Sequence, residues 1–196
     1  VLRAIQPGDN VERQQLASAE ALVLREARRY QDAFDRLAKE LTTQPESAEL
    51  LYDYALAAEK LDKVDVMEKA LRRVITLRPD DPHAYNALGY SLADRRLRLD
   101  EARQLVEKAV QLAPDDPFIA DSLGWVEYRS GNFKRAIEIL ERAYAIRPDA
   151  EIAAHLGEVL WAAGERARAE ALWRSAKERD PSNETLVETL ARHQQR

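Results

Sequence analysis

Hydrophobic positions recur along the chain with the spacing of amphipathic helices, and prolines interrupt them at nearly constant intervals. The intervals between the five punctuating prolines are 34, 35, 34 and 33 residues. No stretch shows the two-residue alternation of a half-buried strand. A repeat of this length without strands predicts a helix-turn-helix solenoid, in which each unit buries its apolar face against its neighbours. The prolines are Pro45, Pro79, Pro114, Pro148 and Pro181.

The second half of each unit carries a small, large, small triplet twelve, eight and five residues before its proline. Offsets of four and three place the triplet on one helical face, where small residues let another helix approach closely. A further small residue stands earlier in each unit, and together these positions predict where the paired helices cross. In the last three units the small residues assigned to this packing are Ala102, Ala136 and Ala169 with Gly89, Gly124 and Gly157.

The turns carry helix start and stop signals. Asp81-Pro82 and Asp116-Pro117 each place an aspartate at the N-cap and a proline at the first helical position. A proline also pushes the residue before it out of the helical region, so Pro79 ends the preceding helix. The predicted helices are about 12–27, 30–43, 47–60, 63–77, 82–95, 99–112, 117–130, 133–146, 150–163, 166–179 and 183–194.

The motifs "NALGYSLAD", "DSLGWVEYRSGNFKRAIEILERAYAIRP" and "AHLGEVLWAAGERARAEALW" resemble tetratricopeptide repeats. The resemblance implies an all-α, right-handed superhelical solenoid of about five repeats plus a C-terminal capping helix. Glu40 and Met67 depart from the alanine that the family prefers, and one extra residue lies near "RRLRLD". Residues 1–13 are interpreted as the tail of a truncated preceding repeat, which predicts a longer native chain. The array 14–183 divides into 14–47, 48–81, 82–116, 117–149 and 150–183, followed by the cap at 184–196.

The stretch from about 86 to 181 is also similar to the C-terminal repeats of large tetratricopeptide proteins of Gram-negative bacteria. Many of these relatives are periplasmic lipoproteins, which implies an outer-membrane-anchored protein facing the periplasm. Some resemble scaffolds that bring a carboxyl-terminal processing protease to cell-wall hydrolases. The resemblance implies that this chain, too, recruits a periplasmic protease or a cell-wall enzyme.

The first helix of each unit lines the inner wall of such a solenoid, and aromatic residues recur on it. Tyr90 and Trp125 follow the Leu-Gly pair in successive units, and a partly exposed tryptophan would anchor a partner. Two alternatives stay open: the tryptophans fill space between helices, and Asn86 and Asp121 are merely solvated. The predicted groove for a peptide or partner helix comprises Tyr52, Asn86, Tyr90, Asp121, Trp125, Tyr128, Arg129, Glu158 and Trp161.

The formal charge of −5 gives no basic stripe for a phosphate backbone, so nucleic acid is not an expected partner. No run approaches the roughly 18 apolar residues that cross a bilayer, so no membrane insertion of this fragment is expected. The chain has no cysteine, and its three histidines, interpreted as surface residues, lack metal-ligand spacing. We therefore predict no cofactor, no metal and no catalysis. The hypothesis is a protein-binding adaptor, with self-assembly into a homo-oligomer as the alternative.

Overall fold

The computed structural model describes residues 10–194, and in this range it is built from eleven α-helices without a strand. Five helix pairs follow one another and a single helix ends the described chain. Every boundary lies within two residues of its predicted position, so the all-α fold of helix-turn-helix repeats is confirmed. The helices are α1 (Asn10–Glu26), α2 (Tyr30–Leu41), α3 (Ala48–Lys60), α4 (Val64–Leu77), α5 (Pro82–Asp94), α6 (Leu99–Leu112), α7 (Pro117–Arg129), α8 (Phe133–Ile146), α9 (Ala150–Ala162), α10 (Arg166–Arg179) and α11 (Glu184–Gln194).

The chain divides into two compact units, of which the first ends at Leu88 and the second begins at Gly89, inside α5. Most of the predicted truncated repeat, residues 1–9, lies outside the described residues, as do the last two residues of the predicted cap. Residues 10–13 form the start of α1. Between residues 10 and 194, no helix is long and apolar enough to cross a membrane.

The small, large, small triplets of the second helices are all buried, including the two that depart from the family pattern. Met67 takes the place of a small residue in α4 and is 1% exposed. Glu40 is buried in α2 because Arg36 donates to its carboxylate at 3.0 Å, and Arg36 is itself bound to Glu20 at 2.6 Å. Charge compensation therefore lets an acidic residue occupy a packing position.

Small residues on the first helices mark the helix crossings in the second unit. A Cβ atom added to Gly124 would lie 2.5 Å from Leu140 Cγ, and one on Gly89 would lie 2.5 Å from Val106 Cγ2. On Gly157 it would collide with the indole of Trp173. Side chains at these three positions would force the paired helices apart, because protein interiors leave no spare volume.

Helix starts follow the predicted capping pattern. Asp116 accepts hydrogen bonds from the backbone N–H groups of Phe118 and Ile119 at 2.8 and 3.3 Å. Asp81 does the same for the first turn of α5. Each side chain satisfies backbone donors that the helix itself leaves unpaired.

The same turn joins the two helices of every pair. The second residue after the end of each first helix adopts a left-handed conformation. The N–H of the residue that follows it donates to the carbonyl five positions earlier, as in a Schellman motif. The extra residue near "RRLRLD" lies in the third turn. It is accommodated by Arg98, which has φ 46° and stands between the Schellman motif and the start of α6. The five left-handed residues are Arg28, Asp62, Arg96, Gly131 and Gly164, with φ of 57°, 54°, 54°, 86° and 89°.

Candidate partner-binding face of the second unit

Most of the predicted groove residues lie in the second unit, on the first helices of three successive pairs. They are Tyr90 on α5, Asp121, Trp125, Tyr128 and Arg129 on α7, and Glu158 and Trp161 on α9. The other two belong to the first unit. There, Tyr52 packs against Ala48 and Val74, and burial raises the pKa of its hydroxyl to about 12. Asn86 is half-buried, and its Oδ1 has no hydrogen-bond partner among the described residues.

A chain of polar side chains, of which Asp121 and His155 are buried and Tyr90 is half-buried, connects α5, α7 and α9 within the second unit. Nδ1 of His155 lies 2.7 Å from Oδ2 of Asp121, and its Nε2 lies 3.3 Å from the hydroxyl of Tyr90. The indole of Trp125 stacks on the imidazole with ring centroids 4.4 Å apart. His155 on α9 therefore links three first helices. It hydrogen-bonds to one residue of α5 and one of α7, and it stacks on Trp125 of α7.

This arrangement corrects three expectations from the sequence. Trp125 was expected to be partly exposed, but only 4% of it is accessible, because the imidazole covers its face. Asp121 is likewise 4% exposed, so it is neither solvated nor available to a ligand backbone in this conformation. His155 was interpreted as a surface residue and is 3% exposed. The packing alternative for Trp125 is the one that agrees with the structure.

The environment of His155 favours its charged form. Burial alone would disfavour an imidazolium, but the charge of Asp121 and its hydrogen bond outweigh burial and raise the pKa, with smaller contributions from Glu151 and Glu158. In the protonated ring both nitrogens donate, Nδ1 to Asp121 and Nε2 to the oxygen of Tyr90. When the imidazole is protonated, the cluster is a buried ion pair with an attached phenol.

A second set of contacts joins the end of α5 to the end of α7. The indole N–H of Trp125 donates to Oδ1 of Asp94 at 3.2 Å, and the guanidinium of Arg129 donates to the same oxygen at 3.0 Å. Arg129 also donates to the backbone carbonyl of Asp94 and lies 5.0 Å from the centre of the Trp125 ring. Arg129 therefore bridges the buried cluster and the accessible part of this face.

The accessible part of the face is a pocket of about 360 Å³, which we call the arginine pocket. It combines three guanidinium groups with one carboxylate and aromatic rings, and it contains four of the predicted groove residues. Glu158 accepts from Arg192 of α11 at 2.7 Å across it. The pocket is lined by Arg96, Tyr128, Arg129, Glu158, Trp161, Ala162, Arg192 and His193.

The charges of the arginine pocket act on the hydroxyl of Tyr128. Burial and the carboxylate of Glu158 raise the pKa of Tyr128, while Arg129, Arg96 and Arg192 oppose that rise. All three arginines line the same pocket as Tyr128. The phenol stays protonated at neutral pH and can donate a hydrogen bond.

Trp161 lines the arginine pocket, and its ring contacts two further aromatic rings, those of Trp173 and His193. Its ring stacks on Trp173 at 5.9 Å, and the ring of His193 lies 4.9 Å from each of the two indoles. Trp161 is half-buried, in contrast to Trp125. Of the two tryptophans of the predicted groove, Trp125 is therefore buried and Trp161 is partly exposed to solvent.

Sequence reasoning missed Arg96, Arg192 and His193 as members of this face. Arg96 lies in a turn, and the other two lie on α11, which was interpreted only as a cap. Their positions depend on how the turn and the last helix fold back, which the period of the repeat does not reveal. Among residues 10–194, no group of three or more His, Asp or Glu side chains is placed to hold a metal ion.

Models of the tetratricopeptide repeat match three overlapping parts of the chain. They cover residues 48–81, 80–149 and 127–192, so together they extend over most of the described helices.

Among proteins of known sequence, a TPR repeat-containing protein of Pseudomonas aeruginosa is 44% identical over 144 residues, which is 74% of this chain. The chain spans only 24% of the length of that relative. Among solved structures, a thermophilic TPR protein of Thermus thermophilus superposes with a TM-score of 0.81 at 23% identity, covering 91% of this chain and 97% of its own. The PilF protein of Pseudomonas aeruginosa reaches a TM-score of 0.71 at 19% identity, with 86% and 77% covered.

Proposed function

Because the chain belongs to the tetratricopeptide repeat family, we propose that it is a non-catalytic scaffold that binds a peptide or a partner helix on the first-helix face of its second unit. The family's fold supports a protein-protein interaction scaffold. We choose this face because it contains the arginine pocket.

The composition of the arginine pocket supports a protein ligand. Tyrosine, tryptophan and arginine are the residues enriched at the energetic centres of protein interfaces. Here Tyr128 and Trp161 stand beside Arg129, and a pocket of about 360 Å³ is large enough for one or two side chains of a partner. The buried cluster around His155 fixes the helices that carry these residues, so the pocket is formed before a partner arrives.

Site-specific photocrosslinking tests this proposal. A photoreactive phenylalanine analogue replaces Tyr128 on α7, and in a matched protein it replaces Tyr144, which lies on the second helix α8. After irradiation in cells, crosslinked partners are identified by mass spectrometry. We expect a partner that is captured from position 128 and absent from position 144. Equal capture at both positions, or capture at 144 alone, would reject this face as the binding site.

The resemblance to periplasmic repeat proteins supports a more specific version of the proposal. The protein would face the periplasm, anchored to the outer membrane, and its partner would be a carboxyl-terminal processing protease or a cell-wall hydrolase. Cell fractionation of the full-length protein, together with the identity of the species crosslinked at position 128, tests both parts. Recovery in the cytosolic fraction would contradict the location without affecting the choice of face.

Self-assembly remains the second candidate because α1 exposes apolar side chains. Val11, Leu22 and Val23 are 60%, 51% and 54% exposed. Light scattering over a range of concentrations would reveal a dimer, and Leu22→Glu together with Val23→Glu should abolish it. A mass that stays monomeric at every concentration would remove this candidate.

A further inference from the structure

We propose that the side chains of Tyr90, Asp121, Trp125 and His155 form a pH-dependent clamp. While the imidazole carries a proton, the clamp is closed, and Asp121 and Trp125 are covered as they are in this structure. Once the proton is lost, the clamp opens and both side chains become accessible to water. This inference goes beyond the proposed function, because it concerns which residues the first-helix face exposes and not which partner the face binds.

The centre of the clamp is an ion pair that is closed off from water. The side chains of His155 and Asp121 are 3% and 5% exposed, and Nδ1 of the imidazole lies 2.7 Å from Oδ2 of the carboxylate. The second carboxylate oxygen, Oδ1 of Asp121, is buried without a hydrogen-bond partner among the described residues. The imidazole therefore supplies the compensation for a buried anion.

The charged groups that act on the imidazole are acidic. Against the cost of burial, the charge of Asp121 and then the charges of Glu151 and Glu158 favour the imidazolium. The two glutamates stand on α9 itself, four residues before His155 and three residues after it. Glu158 is also bound to Arg192 of α11 at 2.7 Å. Of these acidic groups, Asp121 is the one that contacts the ring.

The other neighbours of the clamp are neutral or already paired. The hydroxyl of Tyr90 lies 3.3 Å from Nε2, and the ring of Trp125 covers one face of the imidazole. Asp94 and Arg129 contact the same indole and are paired with each other at 3.0 Å. The core that α8 and α10 share with α9 is apolar. Histidine is the side chain whose charge ordinarily changes near neutral pH, so His155 is the group of this set that responds to pH.

Loss of the proton removes the compensating charge but leaves the carboxylate in place. The neutral ring keeps one N–H for Asp121, while its other nitrogen becomes an acceptor for the hydroxyl of Tyr90. Asp121 then holds a negative charge in a site closed to water, with Oδ1 still unpaired. Such an uncompensated charge is strongly unfavourable, and movement into solvent relieves it. Because Trp125 stands one turn after Asp121 on α7, exposure of the carboxylate also uncovers the indole.

Fluorine NMR of the 196-residue chain labelled with 5-fluorotryptophan tests the clamp. The three tryptophans give three resonances, which are assigned by their loss in Trp125→Phe and Trp161→Phe. A neutral gadolinium chelate in solution broadens each resonance according to the exposure of its ring. Trp173, which is 2% exposed, is the reference for a buried ring, and the half-buried Trp161 is the reference for a partly exposed one.

Spectra are recorded from about pH 5.5 to about pH 9.5, a range that spans the titration of a histidine whose pKa is raised. At the acidic end we expect the Trp125 resonance to broaden as little as that of Trp173. At the alkaline end its broadening should rise to that of Trp161, while Trp173 stays unchanged. The clamp therefore predicts a local opening in a unit whose core remains folded.

Two variants separate the charge of the clamp from its packing. Asp121→Asn keeps the shape of the side chain and removes the buried anion, so Trp125 should stay protected over the whole pH range. His155→Gln keeps a hydrogen-bond donor but carries no charge, so Trp125 should be accessible over the whole range. His83→Gln is the control, because His83 lies on an exposed part of α5 and its loss should leave the pH response of the parent intact.

Three outcomes would overturn the inference. They are equal broadening of Trp125 at both ends of the pH range, a pH response that persists in Asp121→Asn, and a parallel rise at Trp173, which would indicate unfolding of the whole unit. If circular dichroism shows that His155→Gln does not fold, the Asp121→Asn protein still decides the question. The crosslinking test is independent of these results, because it records where a partner binds.

Discussion

The ring of Trp125 is covered on one face by His155, contacted by Tyr128 at 5.1 Å and hydrogen-bonded through its N–H to Asp94. A residue with this environment contributes to stability rather than to a free binding surface. Large buried aromatic side chains typically cost several kcal/mol when truncated, because both their burial and their neighbours' contacts are lost.

Trp125→Ala should therefore lower the free energy of unfolding by about 3 kcal/mol or more. Urea denaturation followed by circular dichroism measures this loss. Phe118→Ala on the same helix is the control, because Phe118 is 36% exposed and its removal should cost less than about 1 kcal/mol. A Trp125→Ala protein as stable as the Phe118→Ala protein would show that the indole is not packed as described.

The buried His155 makes part of the stability depend on pH. Its pKa is raised in the folded state, so the folded protein binds the proton more tightly than the unfolded chain. The resulting stabilisation is complete below the unfolded pKa of about 6.5 and is lost as the pH rises through the raised pKa. Thermal unfolding of the parent and of His155→Gln should therefore differ most at acidic pH and least at alkaline pH.

His83→Gln is the control for this pH dependence, because His83 lies on an exposed part of α5. It should unfold like the parent at every pH. A difference between the parent and His155→Gln that is constant, or that grows as the pH rises, would contradict a stabilising imidazolium.

The sequence predicted which residues share the first-helix face, but not which of them reach solvent. Trp125 directly follows Gly124. Tyr128 and Trp161 each stand four residues after the glycine of their unit, so they occupy equivalent positions on successive first helices. The exposure of Trp125 is decided by Asp94 and His155, which are 31 and 30 residues away in sequence and belong to other helices. Side-chain rotamers and such distant neighbours leave no periodic signal, so burial at these positions could not be predicted.

Helix boundaries and crossings were predictable because they are set by local chemistry that the chain repeats. Asp116 caps α7 through two backbone hydrogen bonds, and Gly124 leaves no room for a Cβ beside Leu140. The cap depends on residues that are neighbours in sequence, and the crossing depends on two residues of one repeat unit. The turns were harder to predict in detail, since Arg28, Asp62 and Arg96 take a left-handed conformation in which glycine is the common choice.

Gly124→Ala separates two opposing effects at a helix crossing. Alanine favours a helix over glycine by about 1 kcal/mol, but its Cβ would lie 2.5 Å from Leu140 Cγ. We expect the steric cost to exceed the helical gain, so the variant should be less stable by about 1 to 3 kcal/mol in urea denaturation.

The helical contribution is measured separately by Ala145→Gly, an exposed site on α8. That change should cost about 1 kcal/mol and no more. If Gly124→Ala instead raised the stability by a similar amount, α7 and α8 would have to cross elsewhere.

At the scale of the whole molecule, the composition limits the class of partner. The chain carries 35 acidic and 30 basic side chains, and the arginine pocket concentrates positive charge locally within this acidic total. A pocket of this size is not the extended basic surface that a polyanion requires, so nucleic acid is not an expected partner.

Titration with single-stranded RNA at modest salt should consequently show no binding at micromolar concentrations of protein. Fluorescence anisotropy of a labelled oligonucleotide measures this directly. A rise in anisotropy that weakens steeply with added salt would indicate counterion release and an RNA-binding surface.

All three tryptophans of the chain, at positions 125, 161 and 173, belong to the second unit, which begins at Gly89. The first unit contributes only tyrosine and phenylalanine to the ultraviolet spectrum. Selective excitation of indole emission would thus report the melting of the second unit alone, while ellipticity follows both. A mismatch between the two optical signals would reveal that the halves of the chain unfold independently, without any label being introduced.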